Sequence, residues 1–308
     1  MNLYMKNIFK SAVVMMAAVT LTSCYEDYVH DYESPNMGFA LEKPLRTVVS
    51  STNKIYVGVS IGGKREVDMN DWATFEIDES LLEGTGKTLM PENYYTLADP
   101  NTFRVRKKNL AVADVAITFT DDFYADPLCL QATYALPFRL TGTSIPGDED
   151  QPNGAIREGG ERSIVAIKYI SGYSGTYYKL GREVEIDENG NETGSPVEYR
   201  DKDLSKNSTC AFATLGRDKV LRPGLGTSDD RGLTLTISEG AVTVEGEGVS
   251  DARGKYVREG DYTFHTGDGK APQFELEYTY TRNGKSFKVT ETLVLRQWPE
   301  AELRVETF

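Results

Sequence analysis

The chain has 308 residues, of which 47 are acidic and 34 are basic, and its formal net charge is −13. This acidic excess excludes nucleic acid as the main partner, because phosphate backbones would be repelled. Hydrophobic residues make up 39% of the chain, and a chain of this length can form two domains with separate cores.

The first 24 residues carry the pattern of an export signal. Lys6 and Lys10 precede a short apolar segment, residues 11–21, which leads into Leu-Thr-Ser-Cys24. A membrane-spanning helix needs about 20 apolar residues, so this segment is typical of a cleaved signal peptide. Residues 21–24 resemble a bacterial lipobox. We therefore predict that residues 1–23 are a lipoprotein signal peptide and that Cys24 carries the lipid that holds the protein at the outer membrane. Ordinary secretion, with Cys24 left as a thiol, is the alternative.

Residues 24–34 are predicted to form an acidic tether, because they contain four acidic side chains and no hydrophobic periodicity. Acidic residues directly after a lipidated cysteine resemble the surface-export signal of lipoproteins from the Bacteroides group. The protein is therefore expected to face the cell exterior, although a plain linker facing the periplasm is the alternative. Residues 1–23 contain two lysines and no acid, so the mature chain has 32 basic and 47 acidic residues and a net charge of −15.

The rest of the chain alternates apolar and polar residues, which predicts β-strands and few helices. Pro137 interrupts one of these segments, which predicts that this strand lies at a sheet edge or carries a bulge. The clearest segments of the first half are Ile55–Ile61, Phe75–Ile77, Val115–Phe119, Tyr134–Leu140 and Val165–Tyr169.

Two short motifs in the first half resemble a known family. Residues 89–97, Leu-Met-Pro-Glu-Asn-Tyr-Tyr-Thr-Leu, are followed by residues 134–144, Tyr-Ala-Leu-Pro-Phe-Arg-Leu-Thr-Gly-Thr-Ser. This pattern resembles the DUF1735 domain of Bacteroidetes lipoproteins. The resemblance implies an immunoglobulin-like sandwich over residues 35–170, in a protein from a polysaccharide-utilisation system. It transfers no functional residue to this sequence.

The second half, residues 171–308, is predicted to be a separate antiparallel β domain. A glycine-containing segment, residues 171–179, is interpreted as a linker that runs into its first strand. Asn283-Gly284, between two alternating segments, is a strong hairpin signal. Consecutive hairpins predict a meander that forms a sandwich or a barrel. The segment resembles the DUF4361 module that accompanies DUF1735. The whole chain is thus predicted to be all-β, with two antiparallel domains.

Glu291 lies on the apolar face of the last predicted strand, between Val289 and Leu293. A buried carboxylate without a partner is costly. Two interpretations are open: a bulge that turns Glu291 outward, or a position at the rim of a binding cleft.

The sequence contains no recognisable catalytic or metal-binding motif. Its two histidines, His30 and His265, can form neither a His-based triad nor a multi-histidine metal site. Residues 148–154 are acidic, but their spacing does not match a calcium-binding EF-hand loop. We expect no cofactor and no metal, and we expect Cys129 and Cys210 to be separate thiols rather than a disulfide.

Aromatic side chains are the candidate binding residues, because the C–H faces of sugars stack on indole and phenol rings. Trp298, beside Pro299, is the first candidate. Burial in the core is the commoner role for each of these rings. The further candidates are Tyr177, Tyr178, Tyr199 and Trp72.

These observations predict a non-catalytic, cell-surface glycan-binding lipoprotein that captures polysaccharide or oligosaccharide, with the site in the second domain. The family resemblance implies an outer-membrane transporter and its SusD-type partner as neighbours. Contact with the membrane is expected through the lipid anchor only. An adhesion or protein-interaction lipoprotein is the alternative, and an unrecognised glycoside hydrolase is a third possibility.

Overall fold

A computed structural model describes residues 34–264, 267 and 269–308 of the protein. The predicted signal peptide, Cys24, most of the tether, His30 and His265 lie outside these residues. Strands account for 52% of the described residues and helices for 8%, which confirms the all-β prediction.

Eleven strands form the first sheet. Its main path is β1-β3-β8-β7-β4-β9-β10-β2-β20, and β5 and β6 pair with β9 and β8 beside this path. The strands are β1 (Asn36–Gly38), β2 (Pro44–Val49), β3 (Lys54–Gly62), β4 (Trp72–Ile77), β5 (Thr88–Leu89), β6 (Tyr95–Leu97), β7 (Thr102–Val105), β8 (Val112–Phe119), β9 (Tyr134–Thr143), β10 (Arg162–Ile170) and β20 (Glu306–Thr307).

The first sheet folds into an immunoglobulin-like sandwich around one hydrophobic core. Alternate residues of β3, β8, β4, β9 and β10 point into this core, as the period-two pattern predicts. The rings of Phe75 and Phe103 stack in it at a centroid distance of 4.3 Å. Most pairings are antiparallel, but β2 runs parallel to β10 and β5 runs parallel to β9.

Pro137 lies in a central strand, because β9 pairs with β4 on one side and β10 on the other. Of the two alternatives, the edge position is therefore wrong and the bulge is confirmed, because Thr141 of β9 is an extra residue opposite the Thr74–Phe75 step of β4. β4 ends at Ile77, which pairs with Phe138, so no residue of β4 is paired with Pro137. The missing N–H of proline consequently interrupts no hydrogen bond between these two strands.

The second sheet closes into a barrel of eight strands, because β11 pairs with β19. β12 is attached to β11 outside the closed ring. The strands are β11 (Gly175–Ile186), β12 (Val197–Tyr199), β13 (Thr209–Gly216), β14 (Lys219–Leu225), β15 (Ser228–Ser238), β16 (Ala241–Glu245), β17 (Val249–Val257), β18 (Gln273–Arg282) and β19 (Lys285–Leu295).

The predicted Asn283-Gly284 hairpin is confirmed. Asn283 and Gly284 have φ values of 53° and 76°, which is the conformation of a type I′ turn between β18 and β19. Phe274, Leu276 and Tyr278 of β18 are buried in the barrel core, again as their alternation predicts.

The helices among the described residues are few and short. Two are α-helical, α1 (Asp121–Ala125) and α2 (Pro299–Glu302). Four are 3-10 helices, at Glu79–Leu82, Glu92–Tyr94, Pro127–Leu130 and Leu204–Lys206. Within the described residues, none of the helices has the length and apolar character that crossing a bilayer would require.

The segment between sandwich and barrel is a packed junction, not the open linker that its glycines suggest. Ser171 and Ser174 are buried. Ser171 Oγ donates to the carbonyl of Arg217 at 2.8 Å, and the N–H of Gly172 donates to Ser50 Oγ at 3.0 Å. The last strand, β20, then returns from the barrel and pairs with β2, so the chain crosses between the two sheets twice.

The two family-like motifs meet in the sandwich. Tyr94 of the first motif and Tyr134 of the second donate their hydroxyls to Asp126 Oδ2, at 3.1 and 2.7 Å. The rings contact each other edge to face at 5.6 Å. These hydrogen bonds lower the pKa of Asp126, with the bond from Tyr134 as the main cause. The motif tyrosines therefore have a structural role, which is to pack this corner of the domain.

Candidate functional site

An open groove of about 550 Å³ lies on the outer surface of the sandwich, where β4 and β9 meet the loop of residues 144–154. Trp72, the first residue of β4, is half-buried at its edge. Thr74 and Thr141 line the same surface, and their hydroxyls are hydrogen-bonded at 2.9 Å. Trp72, Thr74 and Thr141 thus form the sheet side of the groove.

The loop of residues 144–154 forms the other side. Its lining residues include Asp148, Gln151 and Asn153, and Asp148 and Asn153 are exposed. The loop is held at both ends, because Ser144 N donates to the carbonyl of Trp72 at 2.9 Å and Thr143 N donates to the carbonyl of Asn153 at 2.9 Å. Gly154 ends the loop with φ of +100°, a conformation that glycine adopts without strain.

Asp71 fixes the backbone beneath Trp72. Its carboxylate accepts hydrogen bonds from Lys64 Nζ at 2.6 Å, from the N–H of Asp68 at 2.8 Å and from Ser144 Oγ at 3.2 Å. Burial alone would raise the pKa of Asp71, but these bonds lower it below its ordinary value of 3.8. Ser144 Oγ in turn accepts the N–H of Trp72 at 3.0 Å. The backbone of Trp72 is therefore held in place by hydrogen bonds that involve both sides of the groove.

This arrangement can contact a ligand that has both an apolar face and polar groups. An indole ring supplies a flat apolar surface, and hydroxyl, amide and carboxylate groups beside it can exchange hydrogen bonds with sugar hydroxyls. The groove is open, so it can receive part of a long chain. Among the described residues there is no group of three or more His, Cys, Asp or Glu side chains placed to hold a metal ion.

The other aromatic candidates lie elsewhere and do not join Trp72. Trp298 is 43% exposed and packs against Phe264 at a centroid distance of 5.5 Å. It directly precedes α2, from which the chain returns to the sandwich in β20. It therefore stands near the junction, not at the far end of the barrel.

Tyr177 is only 1% exposed, so its assignment as a surface stacking residue is wrong. Its ring stacks on Phe212 at 4.3 Å, and its hydroxyl donates to the carbonyl of Tyr173 at 2.8 Å. Tyr178 is half-buried against the barrel core. Tyr199 is half-buried as well, and its hydroxyl donates to Glu291 Oε2 at 3.2 Å. This bond places Tyr199 in the interior polar cluster of the barrel.

Glu291 points into the barrel, and both interpretations drawn from its sequence position are wrong. β18 and β19 pair without a bulge at this position, and the Glu291 side chain is fully buried. It accepts hydrogen bonds from Arg222 Nη2 at 2.7 Å, from Tyr199 and from Tyr278. The carboxylate is tolerated inside because a buried guanidinium and two hydroxyls pair with it.

A second carboxylate, Glu183, is also buried in the barrel. It accepts hydrogen bonds from the N–H of Thr227 at 2.8 Å, from the Tyr280 hydroxyl at 3.0 Å and from Arg282 at 3.3 Å. All of these partners come from the barrel itself. The carboxylates of Glu183 and Glu291 are thus paired with groups of the barrel, which favours a structural role, although the buried Arg222 Nε has no hydrogen-bond partner within the described residues.

Cys129 and Cys210 are free thiols. Cys129 is buried in the sandwich core and Cys210 is half-buried on β13. Burial raises the pKa of Cys129 to about 12 and that of Cys210 to about 11. Both side chains are therefore protonated thiols near neutral pH, which are poor nucleophiles.

Four lining residues of the groove were missed from the sequence: Thr74, Thr141, Gln151 and Asn153. The β-bulge between Thr74 and Phe75 is the feature that could have indicated these residues. A bulge, however, cannot be recognised clearly in a single sequence. The loop itself is recognisable by composition. Its position against Trp72, more than 70 residues earlier, is not.

The fold and the groove define an all-β protein with an immunoglobulin-like sandwich followed by an eight-stranded barrel. Residues 23–147 match the family model of an N-terminal domain, the DUF1735 family. The resemblance in the two motifs is thereby confirmed for this part of the chain. The DUF4361 resemblance of residues 171–308 stays a prediction. A comparison with curated proteins finds no match.

Solved structures from Bacteroides ovatus are similar to this chain to different degrees. A protein of unknown function superposes with a TM-score of 0.65 and 21% sequence identity, over 89% of this chain and 99% of that chain. A multidomain protein that includes DUF1735 gives a TM-score of 0.39 and 11% identity, over 89% of this chain and 100% of that chain. At this identity the first structure supports the fold alone.

Proposed function

We propose that the protein is a non-catalytic glycan-binding lipoprotein of the cell surface, anchored through Cys24, that captures polysaccharide for a neighbouring outer-membrane transporter. The observation that carries this proposal is the groove at Trp72, in which an aromatic ring, two threonine hydroxyls and the polar loop of residues 144–154 line one open surface. The DUF1735 match of residues 23–147 supports the same assignment through the family's association with polysaccharide utilisation.

The groove favours the sandwich over the barrel as the binding domain. In the barrel, the strongest aromatic candidate, Trp298, packs against Phe264, while the interior carboxylates, Glu183 and Glu291, are hydrogen-bonded to groups of the barrel. Trp72 instead lies beside exposed hydrogen-bonding groups on a rigid support. We therefore place the site in the sandwich and keep Trp298 as the alternative.

The two tryptophans allow a direct test, because Trp72 and Trp298 are the only ones in the chain. In a Trp298→Phe variant, all tryptophan fluorescence comes from Trp72. Titration with a panel of soluble polysaccharides should change the intensity or wavelength of that emission for the cognate glycan. In the reciprocal Trp72→Phe variant, the emission of Trp298 should be unaffected.

Affinity gels with the same polysaccharides give the energetic test. Trp72→Ala should weaken binding by about 1–3 kcal/mol, the contribution of a large apolar side chain, and Trp298→Ala is the matched control. If the polysaccharide gel still retards Trp72→Ala but no longer retards Trp298→Ala, the binding site lies in the barrel. Binding of no polysaccharide by the wild-type protein would reject the glycan proposal, and release of reducing sugar would reject the non-catalytic part of it.

A further inference from the structure

The side chains that line the groove at Trp72 include no cation. Among the described residues there is no lysine, arginine or histidine in this lining, and its one charged member is the carboxylate of Asp148. Apart from the indole, the remaining polar side chains are neutral, and they are those of Thr74, Thr141, Thr143, Gln151 and Asn153. A sugar in this groove therefore meets an indole ring, neutral hydrogen-bonding groups and one negative charge.

The loop beside the groove adds further negative charge. Residues 144–154 contain Asp148, Glu149 and Asp150 and no basic residue, so the loop has a net charge of −3. All three acidic residues are exposed. Within the part of the chain that the structure describes, none of them has an ion pair. Their charges are therefore not neutralised by a paired cation.

The neighbouring loop, residues 63–71, does not reverse this charge. It is joined to the first loop by the hydrogen bond from Ser144 Oγ to the Asp71 carboxylate at 3.2 Å. It contains two basic and three acidic residues, a net charge of −1. Both loops at this edge of the groove are therefore negative.

The arginines of the adjoining sheet are paired with carboxylates. Arg104 of β7 lies opposite Trp72 in the register with β4, and its Nε donates to Asp99 at 3.1 Å. Arg139 of β9 donates from its Nε to Asp78 at 2.6 Å. These guanidinium groups are balanced by their own partners, so the surroundings of the groove keep a negative net charge.

A negative groove discriminates between classes of polysaccharide. Glu149 and Asp150 directly follow Asp148, and consecutive Cα atoms are about 3.8 Å apart, so their charges lie within the screening length of about 10 Å at 0.1 M salt. A uronate or sulfate group in the groove would be repelled by these carboxylates and would lack the cation that such groups pair with. The hydroxyls of a neutral sugar can instead donate charge-assisted hydrogen bonds to Asp148.

We propose that the Trp72 groove selects neutral glycans, and that Asp148, Glu149 and Asp150 exclude polysaccharides that carry uronate or sulfate groups. This inference rests on the proposed glycan-binding function and goes beyond it, because it names the class of polysaccharide and gives the acidic loop a role in specificity. Asp148 acts in the groove itself, whereas Glu149 and Asp150 act through their charge.

Affinity gels with matched polysaccharides test this selectivity on the mature chain, residues 24–308. Dextran, galactomannan, arabinoxylan and xyloglucan are each compared with a carboxymethylated form and with a hydroxyethylated form, which adds similar bulk without charge. For the polysaccharide that binds, carboxymethylation should weaken binding at low salt at least about threefold more than hydroxyethylation does, since one exposed charge pair changes affinity by up to about fivefold. The difference should shrink as salt is raised. Equal binding of the two substituted forms at low salt would overturn the proposal.

Neutralising two loop carboxylates measures their contribution. Glu149→Gln/Asp150→Asn should lower the discrimination between the carboxymethylated and hydroxyethylated forms by about twofold or more. Neither side chain is among the lining residues of the groove, so the change acts through charge. The matched control is Glu245→Gln/Glu247→Gln, which removes two exposed carboxylates from the barrel and should leave the discrimination unchanged. Circular dichroism checks the folding of both variants.

An unchanged discrimination in Glu149→Gln/Asp150→Asn, or an equal loss in the barrel control, would overturn the role of the loop. Tighter binding of polygalacturonate than of every neutral polysaccharide would show that the groove takes anionic glycans. Failure of the proposed function gives a different result: no polysaccharide, neutral or anionic, then retards the wild-type protein, and this inference falls with it.

Discussion

Arg222 Nη2 donates a hydrogen bond to Glu291 Oε2 at 2.7 Å in the interior of the barrel, where neither side chain is exposed to solvent. Tyr199 and Tyr278 donate their hydroxyls to the same carboxylate. Two charges that leave water lose several kcal/mol of hydration each, and their attraction offsets this only when the geometry is good. The loss of one partner should therefore lower the stability of the barrel much more than the loss of both.

Glu291→Leu should destabilise the protein by roughly 3–5 kcal/mol, because it leaves the Arg222 guanidinium buried without a counter-charge. Arg222→Met/Glu291→Leu should recover most of that loss. Urea unfolding of the two single variants and the double variant measures the difference. The control is Glu277→Leu in the same hairpin. Its ion-pair partners, Arg253 and Lys288, are both exposed, so its loss should cost about 1 kcal/mol or less. Equal costs for Glu291→Leu and Glu277→Leu would contradict the structural role of the buried pair.

Tyr134→Phe should destabilise the sandwich by about 1–3 kcal/mol, because it removes the shorter of the two hydroxyl bonds to the Asp126 carboxylate. Tyr94→Phe should cost less, since its bond is 3.1 Å long. Tyr95→Phe is the control, because the Tyr95 hydroxyl has no hydrogen bond within residues 34–264, 267 and 269–308. Chemical denaturation measures all three, and a larger effect of Tyr95→Phe would be inconsistent with this packing.

Asp71 should make the stability of the sandwich around Trp72 depend on pH. Its folded pKa lies below the ordinary value of 3.8, so the ionised carboxylate stabilises the folded state above that value, and the stabilisation is lost as the pH falls through the folded pKa. The difference in unfolding free energy between wild type and Asp71→Asn should therefore be largest near neutral pH and shrink below about pH 4. Asp148→Asn, in the exposed loop, is the control. If the difference in unfolding free energy between the two proteins grows on acidification, folding raises the pKa of Asp71 and the prediction is wrong.

Limited proteolysis should cut first within residues 146–153. These loop residues are almost all exposed, and exposed loops are the preferred sites of cleavage. A Glu-specific protease should therefore cut early after Glu149. Chymotrypsin should cut slowly after Tyr173, because the junction around it is buried and hydrogen-bonded. Mass spectrometry of the first fragments distinguishes the two positions, and early cleavage at Tyr173 would mean that the junction opens easily.

Much of the architecture could be predicted from local patterns. The alternation in Ile55–Ile61 and the Asn283-Gly284 turn correctly identified strands and a hairpin, because both features depend on neighbouring residues. The motifs around Tyr94 and Tyr134 correctly indicated the family of the first domain. By contrast, the glycines of residues 171–175 suggested an open linker, and only the contacts with Ser50 and Arg217 show that this segment is buried.

The sequence by itself determined which segments are strands and which are turns, since the side-chain period of a strand and the positive φ of a hairpin turn are local requirements. Only the tertiary structure decided what those strands bring together. Glu291 could be interpreted correctly only with Arg222, which lies 69 residues away in the chain, and Trp72 acquires a groove only because a bulge and the loop of residues 144–154 meet it. The physical reason is that the cost of burying a charge, and the shape of a surface, are set by neighbours in space. A single sequence orders residues along the chain and does not record those neighbours.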